Sequence, residues 1–233
     1  MTEPAPAPRS GRAGVLLDVD GTLVDTNYLH ALAWSRALVD AGEWAPMHAI
    51  HRLVGMGGDQ LLQDLLGHDS SEASSQRAER YRPLISEARA FPGASALIRR
   101  LDSFGLAVVL ATSAPADELD AMRRILACDD QIAACTTADD VRATKPAPDV
   151  FRAAMQAAAL DPALTLVIGD SIWDVQAARA AGLGCIAVES GGFSAHELRE
   201  EGAAAVYRNV QEILDQALTG ALAPLILHAR SQR

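Results

Sequence analysis

Asp18 and Asp20 stand two residues apart, directly after the apolar run Val15-Leu16-Leu17. Three more places repeat the theme. Thr112 and Ser113 follow the apolar residues 106–111, Asp170, Ser171 and Asp174 follow residues 164–168, and Lys145 precedes Pro146. Together they supply carboxylates, hydroxyls and one ammonium group. A carboxylate can attack phosphorus and form an aspartyl-phosphate, which splits a hard hydrolysis into two easier steps. Carboxylate and phosphate dianion repel each other, so the site must bring positive charge. Mg²⁺ suits it, because that ion takes oxygen ligands, keeps several waters and needs only a few carboxylates beside the phosphate. A lysine adds a point charge, while hydroxyls and backbone N–H groups hold phosphoryl oxygens. A second carboxyl near the nucleophile can protonate the leaving oxygen and later deprotonate the attacking water.

Each residue also has a plainer use. Asp20-Gly21 could open a turn, and Thr112 or Ser113 could cap a helix before Pro115. Lys145 could be a solvated loop charge, and Asp174 could complement a helix dipole. Asp25 and Thr26 read as the cap of the next helix, and His30 and Trp34 as packing residues on its stripe. A matched set of this kind at the ends of successive strands favours chemistry over turns alone.

The elements that must position these groups are legible from periodicity. Short unbroken apolar runs at 15–17, 106–111, 132–135, 164–168 and 185–188 resemble buried parallel strands. Between them, Ala94, Leu97, Ile98 and Leu101 recur at helical spacing, as do Leu119, Met122 and Leu126, and Val210, Ile213, Leu214 and Ala217. Strand and helix alternate from about residue 91 onward, which predicts an α/β fold built on a doubly wound parallel sheet. Residues 27–90 break the alternation. Tyr28, Ala31, Trp34 and Leu38 mark one helix, Leu61, Leu62, Leu65 and Leu66 a second, and the charged stretch 77–90 a third, with Gly55-Met56-Gly57-Gly58 between. The economical division is a core of 13–26 and 91–219, a helical insertion at 27–90 after the first strand, a loose tail at 1–12 and a C-terminal tail at 220–233. The apolar residues 221–229 should pack on the body, since exposed apolar segments are unfavourable.

Hydrophobic residues make up 49% of the 233-residue chain, enough for a substantial core, and the formal net charge is -10. A chain so acidic lacks the basic field that nucleic acid or an anionic membrane would require. It must bind any anionic substrate locally. Cys128, Cys135 and Cys185 are widely spaced and read as buried, reduced thiols. No long apolar span or signal-peptide core is present, so the expected location is the cytoplasm. Oligomeric state has no signature here.

Asp18-Val19-Asp20-Gly21-Thr22-Leu23-Val24-Asp25 resembles the first motif of the haloacid dehalogenase superfamily of phosphatases and mutases. Thr112 after Val108-Val109-Leu110-Ala111 is similar to the second motif, and Lys145 in Thr144-Lys145-Pro146-Ala147-Pro148 to the third. Gly169-Asp170-Ser171-Ile172-Trp173-Asp174 is similar to the acidic fourth. The order is the family's own, and the resemblance spans residues 14–219. It implies that Asp18 is the nucleophile and a metal ligand, and that Asp20 is the general acid/base with its backbone carbonyl on Mg²⁺. It further implies that Thr112, the Ser113 backbone and Lys145 hold the phosphoryl group, that Asp170 binds the metal, and that Asp174 supports it. The insertion resembles the family's helical cap, which closes over the core and selects a small phosphorylated metabolite. The alternative is a phosphomutase like β-phosphoglucomutase. Its cap carries an arginine soon after a glycine to hold a second phosphate, and Gly55-Met56-Gly57-Gly58-Asp59-Gln60 has none, although Arg52 lies nearby.

Overall fold

A computed structural model describes residues 11–232. The chain begins with β1 (Arg12–Leu17) and then four helices, α1 (Asn27–Asp40), α2 (Met47–Leu53), α3 (Gly58–Leu66) and α4 (Ser71–Tyr81). It continues through α5 (Ala94–Ser103), β2 (Ala107–Ala111), α6 (Ala116–Leu126), β3 (Ile132–Thr136) and α7 (Asp149–Ala157). Next come β4 (Leu160–Gly169), α8 (Ile172–Ala180), β5 (Gly184–Val188) and α9 (Ala195–Glu200). The order closes with β6 (Ala205–Tyr207), α10 (Val210–Asp215) and α11 (Ala223–Ser231).

The strands form one parallel sheet in the order β3-β2-β1-β4-β5-β6. Their apolar runs show no alternation because both faces are covered. In β1, Val15 and Leu17 enter one core with α5, α6, α10 and α11, while Leu16 enters the other with α7 and α8. β2 divides likewise, Val108 and Leu110 on the first face and Val109 and Ala111 on the second. The doubly wound α/β fold with a helical insertion after the first strand is therefore present as read.

Several local expectations need correction. The third insertion helix lies at Ser71–Tyr81, capped by the Ser70 hydroxyl accepting from the Ala73 N–H, and not across 77–90. Pro83 interrupts the stretch beyond it, where only a single tight turn, Leu84–Glu87, is helical. Helix α2 and strand β6 went unread; β6 has only three residues, each half-buried, at the end of the short alanine-rich run 203–207. Of the predicted N-terminal tail, residues 1–10 lie outside the described part, and Arg12 already pairs in the sheet beside Leu160. The C-terminal segment is a helix whose Leu225, Ile226 and Ala229 join the first core, so it packs as expected. All three cysteines are free, but Cys135 on the edge strand β3 is only half-buried. Among the described residues no helix is long and apolar enough to cross a membrane.

The insertion has its own small core, with Trp34 and Leu38 of α1, Ile50 of α2, and Leu61 and Leu62 of α3. Trp173 of α8 packs against it from the sheet side. The two connections to the sheet lie side by side: the Asp25 N–H donates to the Arg89 carbonyl and the Phe91 N–H to the Leu23 carbonyl, each at 2.9 Å.

Candidate active site

β1 lies between β2 and β4, and the chain runs outward from it in both directions. Such a reversal opens a crevice beyond the carboxyl ends of the strands. Asp18 leaves β1 there, its N–H donating to the Ile168 carbonyl at 2.9 Å, so its place is fixed by the sheet itself. Asp170 arrives from the end of β4, Asp174 from the first turn of α8, and Lys145 from the loop between β3 and α7.

The carboxylates of Asp18, Asp170 and Asp174 are all buried, and each offers an oxygen within 4.8 Å of the others. Lys145 is buried among them, its Nζ donating to Asp18 Oδ1 and standing 2.7 Å from Asp174 Oδ1. The other Asp174 oxygen accepts from the Ser171 N–H at 3.1 Å and its hydroxyl at 2.5 Å, a capping box that orients Asp174 while starting α8. Helix capping and site support are thus served by one residue. Thr22 Oγ1 sits 3.0 Å from both Asp18 Oδ2 and Asp170 Oδ1, although one hydroxyl proton can satisfy only one of them. Asn27, the first residue of α1, donates to Asp170 Oδ2 at 2.8 Å. A side chain at Gly191 would put its Cβ 1.7 Å from that oxygen, so only glycine fits.

Three buried carboxylates against one ammonium leave an excess of negative charge. Burial first, then the neighbouring carboxylates, push the Asp18 carboxyl up to about 7 despite Lys145. Burial and the charges of Asp18 and Asp174 push Asp170 up as well. Burial alone would lower the Lys145 ammonium, but the facing Asp174 and Asp18 outweigh it and hold it above its ordinary range. All-oxygen donors, buried and short of positive charge, fit a hard divalent cation such as Mg²⁺.

Asp20 turns its carboxylate away from this cluster. Its Oδ1 accepts from the Thr26 hydroxyl at 2.6 Å and lies 2.8 Å from His30 Nε2, while Oδ2 accepts from Thr112 Oγ1 at 3.2 Å. Any share Asp20 takes in holding a metal falls to its backbone. Burial pushes its carboxyl up, but the hydrogen bonds of His30, Thr26 and Thr112 prevail and lower it. Thr26 precedes α1 but does not cap it: its hydroxyl goes to Asp20 instead. His30 is buried and stacks on Tyr81 at 4.1 Å between centroids. Arg77 approaches His30 Nδ1 at 2.7 Å and pairs with Glu118 of α6. Arg77 has no acceptor to offer, so Nδ1 accepts, which leaves Nε2–H as the donor to Asp20.

Above Asp20 lies a cavity of about 60 Å³ between sheet and insertion. Ser113 and Ala114 line its floor, and Trp34, Met56 and Leu61 line its roof. The Ser113 hydroxyl is buried without a partner. The structure thus gathers Asp18, Lys145, Asp170 and Asp174 on one side and Asp20, Thr112 and Ser113 on the other. Sequence reasoning passed over Thr22, Asn27, Arg77, Glu118 and Gly191, and took His30 and Trp34 for packing. His30 and Trp34 are four apart on one helical face, a spacing consistent with their both lining the cavity; Arg77 and Glu118, 41 residues apart, carry no local signal.

The profile of the haloacid dehalogenase-like hydrolases matches residues 13–182. The CbbY protein of Cereibacter sphaeroides is 31% identical over 204 residues, 78% of this chain and 86% of that protein. A phosphoglycolate phosphatase of Pseudomonas putida is 30% identical over 188 residues, 76% of this chain and 69% of the relative. The crystal structure of a hydrolase from Pseudomonas syringae superposes with a TM-score of 0.83 at 34% identity, over 88% of this chain and 97% of the other.

Proposed function

Because the chain belongs to the haloacid dehalogenase-like hydrolases, we propose that it is a Mg²⁺-dependent phosphatase that cleaves a small phosphate monoester through an aspartyl-phosphate on Asp18. The observation that carries this reading is the split of carboxylates. Asp18 sits with Lys145 and two further acids, whereas Asp20 faces the cavity with its own hydrogen-bond partners.

In the first half-reaction an Asp18 oxygen bonds to phosphorus and the ester oxygen leaves. Lys145 offsets charge on the phosphoryl oxygens, and Thr112 and the Ser113 N–H hold them. A protonated Asp20 gives its proton to the leaving oxygen. In the second half-reaction Asp20, now ionised, takes a proton from water as that water attacks phosphorus, and Asp18 is released. Asp20 is ionised at rest; an incoming phosphoryl anion beside it raises its proton affinity, and it takes up a proton from solvent before the ester bond breaks. Asp18 and Asp170 would hold Mg²⁺ with Asp174 in support, and the bound ion would supply neutralisation of the carboxylates and the phosphoryl group. Residues 27–90 act as a cap that shapes the leaving-group side, over a core of 13–26 and 91–219.

A mutase must hold a second phosphate inside the cavity. Arg52, the cation that the sequence places near the glycine loop, instead pairs with Glu197 at 2.6 Å and stacks over Phe193 at 3.9 Å. Hydrolysis is the better-supported outcome. The test is hydrolysis of p-nitrophenyl phosphate with Mg²⁺ or with a chelator, followed by rapid quench with labelled substrate. Label trapped on Asp18 is expected; full activity in chelator, or label on another residue, would overturn the reading.

A further inference from the structure

The cavity above Asp20 carries information about the leaving group. Its volume, about 60 Å³, leaves room for roughly four to six water-sized positions. Its outer wall is apolar: Trp34, Val54, Met56 and Leu61. Among the described residues lining it, Arg77 is the only arginine or lysine, and that guanidinium is already engaged. Both of its terminal nitrogens bond the carboxylate of Glu118, and one of them also meets His30 Nδ1. The Arg77 and Glu118 side chains are 15% and 10% exposed, so the pair is shielded from solvent. His30 in turn is committed to Asp20. What the lining offers a ligand beyond the phosphoryl group is chiefly its apolar wall.

A second anion in this space would meet the Asp20 carboxylate and a neutralised ion pair, with no free cation to receive it. Burying an anion without a partner is costly. Resting on the reading of the site as a phosphatase, we propose that the leaving group is a compact, uncharged alcohol with an apolar body, and that Glu118 enforces this by occupying Arg77. Esters whose leaving group bears a carboxylate or a second phosphate are then disfavoured, in contrast to the phosphoglycolate of the Pseudomonas putida relative's name.

The test compares two phosphonates of nearly the same shape, 2-methylpropylphosphonate and phosphonoacetate, which differ in a carboxylate replacing an isopropyl group. Binding of each to the full chain with Mg²⁺ is measured by titration calorimetry. The uncharged ligand should bind at least about tenfold more tightly. Glu118→Gln keeps the shape but frees the Arg77 charge, and should shift the ratio toward phosphonoacetate by about tenfold or more. Equal or tighter binding of phosphonoacetate to the unaltered protein overturns the proposal, as does failure of both to bind. An unchanged ratio in a folded Glu118→Gln protein also overturns it. If that variant does not fold, the unaltered protein decides alone. Hydrolysis of p-nitrophenyl phosphate, assayed alongside, separates the two readings: selective binding without turnover sinks the phosphatase assignment and leaves the selectivity standing.

Discussion

Asp18 and Asp20 are chemically alike and two residues apart, yet their surroundings drive them in opposite directions. Asp18 is buried beside two other acids and is raised to about 7; Asp20 is held by His30, Thr26 and Thr112 and is lowered. Different work should follow. Asp18→Asn should abolish turnover, because an amide is a far poorer nucleophile. Asp20→Asn should cost roughly 10²–10⁴-fold, with the smaller loss in single-turnover cleavage of p-nitrophenyl phosphate, whose leaving group needs little protonation. Equal losses on good and poor leaving groups would count against Asp20 as the acid. The raised Asp18 also predicts a pH effect on stability. Between its ordinary value near 3.8 and about 7, the metal-free folded protein keeps a proton that the unfolded chain has released. Stability therefore falls as pH rises through that window. Lys145, also raised, contributes only above its unfolded value of 10.5, outside the window. In chelator, the melting temperature of the natural chain should decline relative to Asp18→Asn between about pH 4.5 and 7. Mg²⁺ should raise it most at the upper end. Parallel profiles for the two proteins would remove Asp18 as the cause.

At the scale of elements, the insertion meets the sheet through its glycine loop. A Cβ on Gly57 would lie 2.1 Å from Thr144 Oγ1, next to Lys145, while the Gly57 backbone at φ -63° suits any residue. Glycine is needed there for close approach, not for conformation. Gly57→Ala should hold the loop off the core and lower kcat/KM by about tenfold or more, since small misplacements are costly in catalysis. The melting temperature should move little. Thr144→Ala in the same chain removes the nearer obstructing oxygen, leaving Asp59 Oδ1 at 2.8 Å, and should recover part of the loss. Absence of recovery would show that the loop's distance from Thr144 is not what the glycine protects. His30 and Asn27 belong to this scale too, because both reach the sheet from α1 and bond Asp20 and Asp170. The insertion is thus bonded both to Asp20 and to the buried carboxylate cluster.

For the whole molecule, two cores on either face of one sheet hold the strand ends in register, and α11 closes the first of them. Ile226 is fully buried there on a helix that bears none of the site residues. Ile226→Ala should cost about 2–5 kcal/mol, read as a lower urea midpoint, with activity per folded molecule unchanged. A loss under about 0.5 kcal/mol would mean that α11 is a loosely held appendage. The cavity above Asp20 is also a property of the whole molecule, with its floor from the sheet side and its roof from the insertion.

The strands of the sheet were legible because burial on both faces imposes unbroken apolar runs, and residues at their ends face a crevice whatever the helices do. Asp18, Thr112 and Asp170 were therefore readable in the chain itself, as was the helical character of 27–90. The boundaries of α4 and the existence of β6 were less so. Pro83 ends the helical stretch from outside it, and the run that holds β6 is mostly alanine, which is depleted in strands. The partners of Asp20 belong wholly to the tertiary structure. Thr26 gives its hydroxyl to a carboxylate instead of capping its helix, and the Arg77–Glu118 pair joins the insertion to α6 across 41 residues. Periodicity reports which side of an element is buried. Which charge meets which across an interface is set only when the elements pack, and that pairing decides both how Asp20 is held and what the cavity can admit.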